Sequence, residues 1–164
     1  MCIRDRRRIA RDSALAATTS VETVSSRGHR FSEEISSLPI VLGNYAEVRD
    51  GKTEEFNIET FNHGSATRKI IAIFNEIGLG DDLNRARDGR NIRAGKATMR
   101  GRVHKTPKSI LLVVKEKSGL AQAARNLPGV DVVAARDLCA EDLAPGGDIG
   151  RLTVFTKDAV EALN

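Results

Sequence analysis

Residues Ser109–Val114 read SILLVV, five apolar side chains in unbroken succession. Successive side chains of a strand point to opposite faces, so a strand that is apolar throughout needs cover on both sides. A parallel sheet between two layers of helices meets that demand. Three further runs match it: LPIVL around Pro39–Leu42, Val130–Ala134 and Leu152–Phe155. Pro39 is expected at the first residue of its strand, where a missing N–H is tolerated.

Between these runs the apolar spacing changes to that of a helix. Ile70, Ile73, Phe74 and Ile77 fall at i, i+3, i+4 and i+7, with Gly78 as a stop. Ser118 is expected to cap a helix facing inward through Leu120, Ala123, Ala124 and Leu127, ended by Pro128-Gly129. A short turn of helix is expected at Ala140–Leu143. Thr156 is placed to cap a last helix burying Ala159, Val160 and Leu163. Near the start, Ile9, Leu15 and Ala16 are the expected buried positions of an alanine-rich helix. Residues 43–66 read as a long polar surface excursion. The alternation predicts an α/β fold with a mostly parallel sheet in a single domain spanning 1–164.

The charge is unevenly placed. Residues Arg85–Lys108 hold nine basic residues (Arg85, Arg87, Arg90, Arg93, Lys96, Arg100, Arg102, Lys105 and Lys108) against one acid, Asp88, a net of +8. The whole chain is only +4, so the rest sums to −4. Gly89, Gly95, Gly101 and Pro107 punctuate the run and argue against a continuous helix. A basic, glycine-studded loop that brings its backbone close to a polyanion suits phosphate-backbone binding. Ile92, Met99 and Val103 interleave with the charges, and the run leads straight into SILLVV, which sets it apart from a plain solvated tail. The nine basic residues and His104 are the expected RNA-binding set. Arg100 and Arg102 flank Gly101, and their planar forks favour bidentate phosphate contact. Arg→Lys is therefore expected to do more harm there than at Arg85 or Arg87. One Tyr, five Phe and no Trp are few for a reader that stacks single-stranded bases. Folded or duplex RNA is the expected partner, although charge alone does not exclude DNA.

Chemistry is thinly represented elsewhere. Ala144-Pro145-Gly146-Gly147-Asp148-Ile149-Gly150 precedes a strand, whereas a dinucleotide-binding glycine loop follows one, and there is no Gly-Lys-Ser/Thr phosphate loop. A tight turn is the better reading. His29, His63 and His104 are scattered, with His29 read as a turn residue after Gly28. Cys2 and Cys139 have no metal-ligand spacing, and Cys139 is expected as a small buried hydrophobe. Asp81-Asp82 and Glu141-Asp142 are assigned to helix ends. No catalytic residue, cofactor, metal or small-molecule substrate is expected. Apolar runs such as Ile70–Phe74 are too short to span a bilayer, so no membrane partner is expected, and thiol usage points to a reducing, intracellular compartment.

GRNIRAGKATMRGRVHKTPKSILLVV resembles the basic signature of the large-subunit ribosomal protein four family in its archaeal and eukaryotic branch. AARNLPGVDVV, DLAPGGDIGRLTVFTKDAVEAL, and SALAATTS followed by RGHRF are similar to the same family. The resemblance covers most of Arg6–Asn164. It implies a three-layer α/β/α fold and a structural role in the large ribosomal subunit. The implied partners are large-subunit rRNA and neighbouring large-subunit ribosomal proteins. A free regulatory RNA-binding protein, or a small α/β nucleotide-binding enzyme domain, are the alternatives.

There are departures from the family pattern. Gly95-Lys96-Ala97-Thr98 stands where relatives usually have Gly-Lys-Gly-Lys, and Asp12 stands where an Arg usually precedes the Ser. Residues 50–66 resemble an insertion. The opening MCIRDR resembles translated sequencing-adapter sequence, so residues 1–6 are set aside. Relatives carry roughly a hundred further residues at the start. The chain is therefore expected to be a fragment lacking one strand of the family sheet, and marginally stable.

Overall fold

The computed structural model describes residues 2–49, 52–56 and 66–163. The chain begins with α1 (Ile3–Thr18) and α2 (Val21–Ser26), then β1 (Ile40–Leu42) after a cis Leu38–Pro39 bond. An antiparallel hairpin follows, β2 (Tyr45–Arg49) with β3 (Lys52–Phe56). This hairpin lies inside the stretch read as a long polar surface excursion; residues 50, 51 and 57–65, with His63, lie outside the described residues. α3 (Ala66–Glu76) and α4 (Gly80–Asp88) lead to β4 (Asn91–Ile92), α5 (Lys96–Met99) and β5 (His104–Lys105). Next come β6 (Leu111–Val114), α6 (Gly119–Ala124), β7 (Asp131–Ala134), α7 (Ala140–Leu143), β8 (Thr153–Thr156) and α8 (Lys157–Ala162).

The main sheet has the order β1-β8-β6-β7, and every pair in it is parallel. All four apolar runs became its strands, and SILLVV is central. Leu111, Leu112, Val113 and Val114 are all fully buried, for the reason its sequence implies. Leu112, Val114, Val154 and Leu42 face a core with Val24 of α2, Ile70 and Phe74 of α3, Leu83 of α4, and Leu120 and Ala124 of α6. Leu111, Val113 and Phe155 face a second core with Ala14 of α1, Leu143 of α7 and Ala159 of α8. Helices therefore cover both faces, in three layers.

Helix details differ from expectation in four places. In α1 the buried residues are Ala14 and Thr18, while Ile9 and Ala16 are exposed. Ile9 and Ala16, seven residues apart, share the helix face opposite Ala14 and Thr18, so they point away from the core that those two enter. Thr156 does cap α8, accepting from the Ala159 N–H at 3.3 Å, but Val160 is exposed beyond the sheet. Ser118 occupies the cap position of α6, yet its side chain makes no capping bond. Cys139 is exposed at the start of α7, where its Sγ donates to Asp142 Oδ2 at 3.0 Å. Partial desolvation and that carboxylate push its thiol pKa up, the opposite of a reactive thiol.

Gly129 closes the turn from α6 into β7 with φ +75°, and a Cβ there would lie 2.4 Å from the Pro107 carbonyl oxygen. Its own carbonyl accepts from the Ser109 N–H at 2.9 Å. Both left-handed backbone and close approach demand glycine. Gly129→Ala is expected to cost about 2–4 kcal/mol, from backbone strain plus displacement of the Pro107 backbone. Chemical denaturation of the variant checks this.

Candidate nucleic-acid interface

The basic run is not an irregular loop. Its first residues, Arg85 and Arg87, belong to α4. Beyond Gly89 the chain forms a two-stranded antiparallel ribbon, with Asn91 opposite Lys105 and Ile92 opposite His104. The Arg93 N–H donates to the Val103 carbonyl at 2.8 Å and extends the ribbon by one rung. The tip is the single turn α5. Two bonds end it: Arg102 N–H to Ala97 O at 3.0 Å and Gly101 N–H to Thr98 O at 3.2 Å. With Gly101 at φ +74°, this is a Schellman stop. The Thr98 hydroxyl closes the tip by donating to the Arg93 carbonyl. Gly101 is therefore a helix terminator that aims Arg100 and Arg102, a role distinct from the close backbone approach expected of it.

The base of the ribbon is pinned by a buried carboxylate. Asp82 on α4 is 0% exposed. Its Oδ1 accepts from Arg85 Nε at 2.9 Å and from the Arg30 N–H at 3.0 Å. Its Oδ2 accepts from the Ser109 hydroxyl at 2.5 Å and lies 3.1 Å from His29 Nδ1. Arg85 Nη2 also donates to the Lys108 carbonyl at 2.8 Å. The two ends of the basic run, residues 85 and 108, are thus bonded to each other across the ribbon's root. Burial alone would raise the Asp82 pKa. Hydrogen bonds from His29 and Arg85, the charge of His29 and the Ser109 hydroxyl outweigh it and hold the carboxyl well below its usual range.

Serine, histidine and aspartate meet here, but the arrangement is not that of a nucleophile. Ser109 and His29 both turn to the carboxylate, and the whole group is buried. His29 is accordingly a core residue, and not the turn residue its place after Gly28 implies.

A second clamp holds the downstream leg. Arg151, 1% exposed, donates through Nε to Ser109 O at 3.0 Å, through Nη1 to Asp142 O at 2.9 Å and through Nη2 to Asp131 Oδ2 at 2.5 Å. Lys108 Nζ reaches the same Asp131 oxygen at 2.7 Å. Burial pushes the Asp131 pKa up, but Lys108 and Arg151 more than offset it. Nothing local in the sequence marks Arg151 as buried, since its acceptors come from Ser109, Asp131 and Asp142, 42, 20 and 9 residues away. Asp82 looked like an ordinary acid in the first turn of a helix.

The ten expected contact residues therefore divide. Arg85 and Lys108 are engaged at the root, and Arg87 pairs with its neighbour Asp88 at 3.1 Å on the surface. Arg90, Arg93, Lys96, Arg100, Arg102 and Lys105 are exposed, and among the described residues their side chains have no hydrogen-bond or ion-pair partner. His104 is exposed on β5. No acid lies between Gly89 and Lys108, so the ribbon's field is uniformly positive.

The glycine segment before β8 is a turn docked on α2. Arg27 donates to the carbonyls of Pro145 (2.9 Å), Asp148 and Ile149. Those carbonyls face a cation, the wrong polarity for a phosphate cradle. Among the described residues no group of three or more His, Cys, Asp or Glu is placed to hold a metal, and no helix is long and apolar enough to cross a membrane.

Fold and ribbon define a class: a three-layer parallel α/β scaffold that displays a rigidly rooted cationic ribbon. Comparison with known proteins narrows it. The family described as "Ribosomal protein L4/L1 family" matches residues 4–164, and the chain belongs to that family. It is 45% identical over 151 residues to the large ribosomal subunit protein uL4 of Methanocaldococcus jannaschii, covering 92% of this chain and 53% of that protein. It is 45% identical over 162 residues to uL4 of Thermoplasma acidophilum, covering 98% and 57% respectively. With uL4 of Halobacterium salinarum it shares 41% over 155 residues, covering 94% and 56%. The chain spans about half the length of these relatives.

Proposed function

We propose that this chain serves as a structural, rRNA-binding part of the large ribosomal subunit, acting in the cytoplasm and without catalysis. It works as one RNA-binding α/β domain, with large-subunit rRNA and neighbouring ribosomal proteins as partners. The observation that carries this reading is the set of six cations on a pinned ribbon whose side chains have no partner among the described residues, in a chain of a ribosomal protein family. Arg90, Arg93, Lys96, Arg100, Arg102 and Lys105 make the phosphate contacts, with His104 beside them. Arg85 and Lys108 act mainly at the root, where they hold the ribbon's angle, and Arg87 is weakened as a contact by Asp88.

Each phosphate neutralised releases condensed counterion. If about five cations engage, log affinity against log salt should have a slope of roughly −3 to −5. Binding titrations of the chain with large-subunit rRNA fragments over a salt series measure it. Association with large subunits through a salt wash, followed by sedimentation, tests the assembly role. A slope near zero would sink the reading.

A further inference from the structure

The two most exposed large apolar side chains among the described residues both lie on the basic ribbon: Met99 at 81% and Ile92 at 73%. A single exposed apolar residue is ordinary. Two of them on the most cationic element need a closer look. Phosphate contact does not use them, because cations alone satisfy a phosphate backbone. Nor do they pack within the ribbon. Val103, Ala97 and Thr98 take the half-buried positions, while Ile92 and Met99 are left outside.

Their positions are fixed before any partner arrives. Ile92 is directly opposite the exposed His104 ring across the ribbon. Met99 ends a helical turn locked by the Schellman bonds and by Thr98. Regular A-form RNA offers such side chains little to bury against. Its bases are stacked, and its major groove is deep and narrow. Unstacked bases at a bulge or internal loop present bare faces of low polarity, and the surrounding phosphates complement the ribbon's charge.

We propose that Ile92 and Met99, with the His104 ring beside Ile92, contact unstacked nucleobases, so that the ribbon selects RNA helices interrupted by a bulge or internal loop over continuous duplex. This deepens the RNA-binding reading and rests on it. The cations supply affinity that is indifferent to RNA shape. The two apolar side chains supply the preference.

The test uses the full chain, a continuous RNA duplex, and the same duplex with a central three-nucleotide bulge carrying 2-aminopurine. Wild type is expected to bind the bulged RNA about tenfold more tightly, an order-of-magnitude figure for burying one such apolar side chain against a base. It should also change the 2-aminopurine fluorescence. Ile92→Thr with Met99→Gln keeps the charge and should reduce the preference to below about twofold, with the salt slope unchanged. Arg93→Ala should instead weaken both RNAs alike and flatten the slope by about one unit. Thermal melts of each variant confirm that these surface changes leave the fold intact. Equal wild-type affinity for the two RNAs, or an undiminished preference in the double variant, would overturn the proposal while leaving RNA binding standing. Failure to bind either RNA would overturn both.

Discussion

Reversing Arg100 and Arg102 together to Glu is expected to weaken binding to large-subunit rRNA by a hundredfold or more near 0.1 M salt, an order-of-magnitude figure from counterion release. Both residues follow the tip helix, both are exposed, and neither side chain has a partner among the described residues. The Schellman stop at Gly101 sets the directions in which they leave the tip. Two lost phosphate contacts should flatten the log–log salt slope by about two units, and the introduced acids should add repulsion. Stability should hardly change, since neither side chain is bonded to any described residue. Arg→Lys at the same positions keeps the charge and loses the fork, so a smaller loss with an unchanged slope is expected. The comparison with Arg85 now mixes two quantities. Arg85→Lys would break the fork to Asp82 and Lys108, and should show first as lost stability. An unaltered affinity and slope in the double reversal would show the ribbon to be a solvated projection.

Asp82→Ala is expected to cost about 3–5 kcal/mol, the typical penalty for removing one partner of a buried charged network. That is a large part of the 5–15 kcal/mol usual for a folded domain. For a chain of this size it corresponds to a melting temperature lower by roughly 10 °C. Four donors lose their acceptor at once: the Arg30 N–H, the Ser109 hydroxyl, His29 and Arg85. The sign of the pH dependence follows from the carboxyl's lowered pKa. The folded-state value lies below the ordinary 3.8, so the contribution is complete above about pH 5 and is lost as pH falls through the ordinary value toward the folded one. The stability gap between wild type and Asp82→Asn should therefore narrow on acidification below about pH 4. Denaturant titrations at pH 7, 5, 4 and 3 measure this. A gap that stays constant across that range would mean Asp82 is not the ionised hub described.

The ribbon depends on that hub for its orientation. Arg85 and Ser109 lie on opposite sides of the excursion, and both are tied to Asp82. Losing the hub should lower RNA affinity less than losing the tip cations, because the charges remain while their placement loosens. Arg151→Met should act similarly on the downstream leg, which it holds through Ser109 and Asp131.

Much of this protein could be read from composition and order alone. SILLVV had to be a strand buried on both faces, because apolar side chains at successive positions leave no face for water. Its three companions became strands of the same sheet, with the edge strands β1 and β7 only partly buried. The spacing of Ile70, Ile73 and Phe74 dictated an amphipathic helix, and the structure buries those three residues. The location of the positive charge was equally plain, since it needs only counting. Tertiary structure decided what the one-dimensional pattern leaves open. Strand order depends on which crossovers pack, and the sheet's β1-β8-β6-β7 arrangement joins the chain's first and last strands. The separation of nine similar cations into root and ribbon depends on partners far away in sequence. Asp82 meets His29 and Ser109 across 53 and 27 residues, and Arg151 reaches Ser109 across 42. Such pairings are long-range and low-dielectric, so no local propensity reveals them. A basic residue becomes a clamp or a free contact according to whether the fold brings a buried acceptor within 3 Å or so, a distance set by packing.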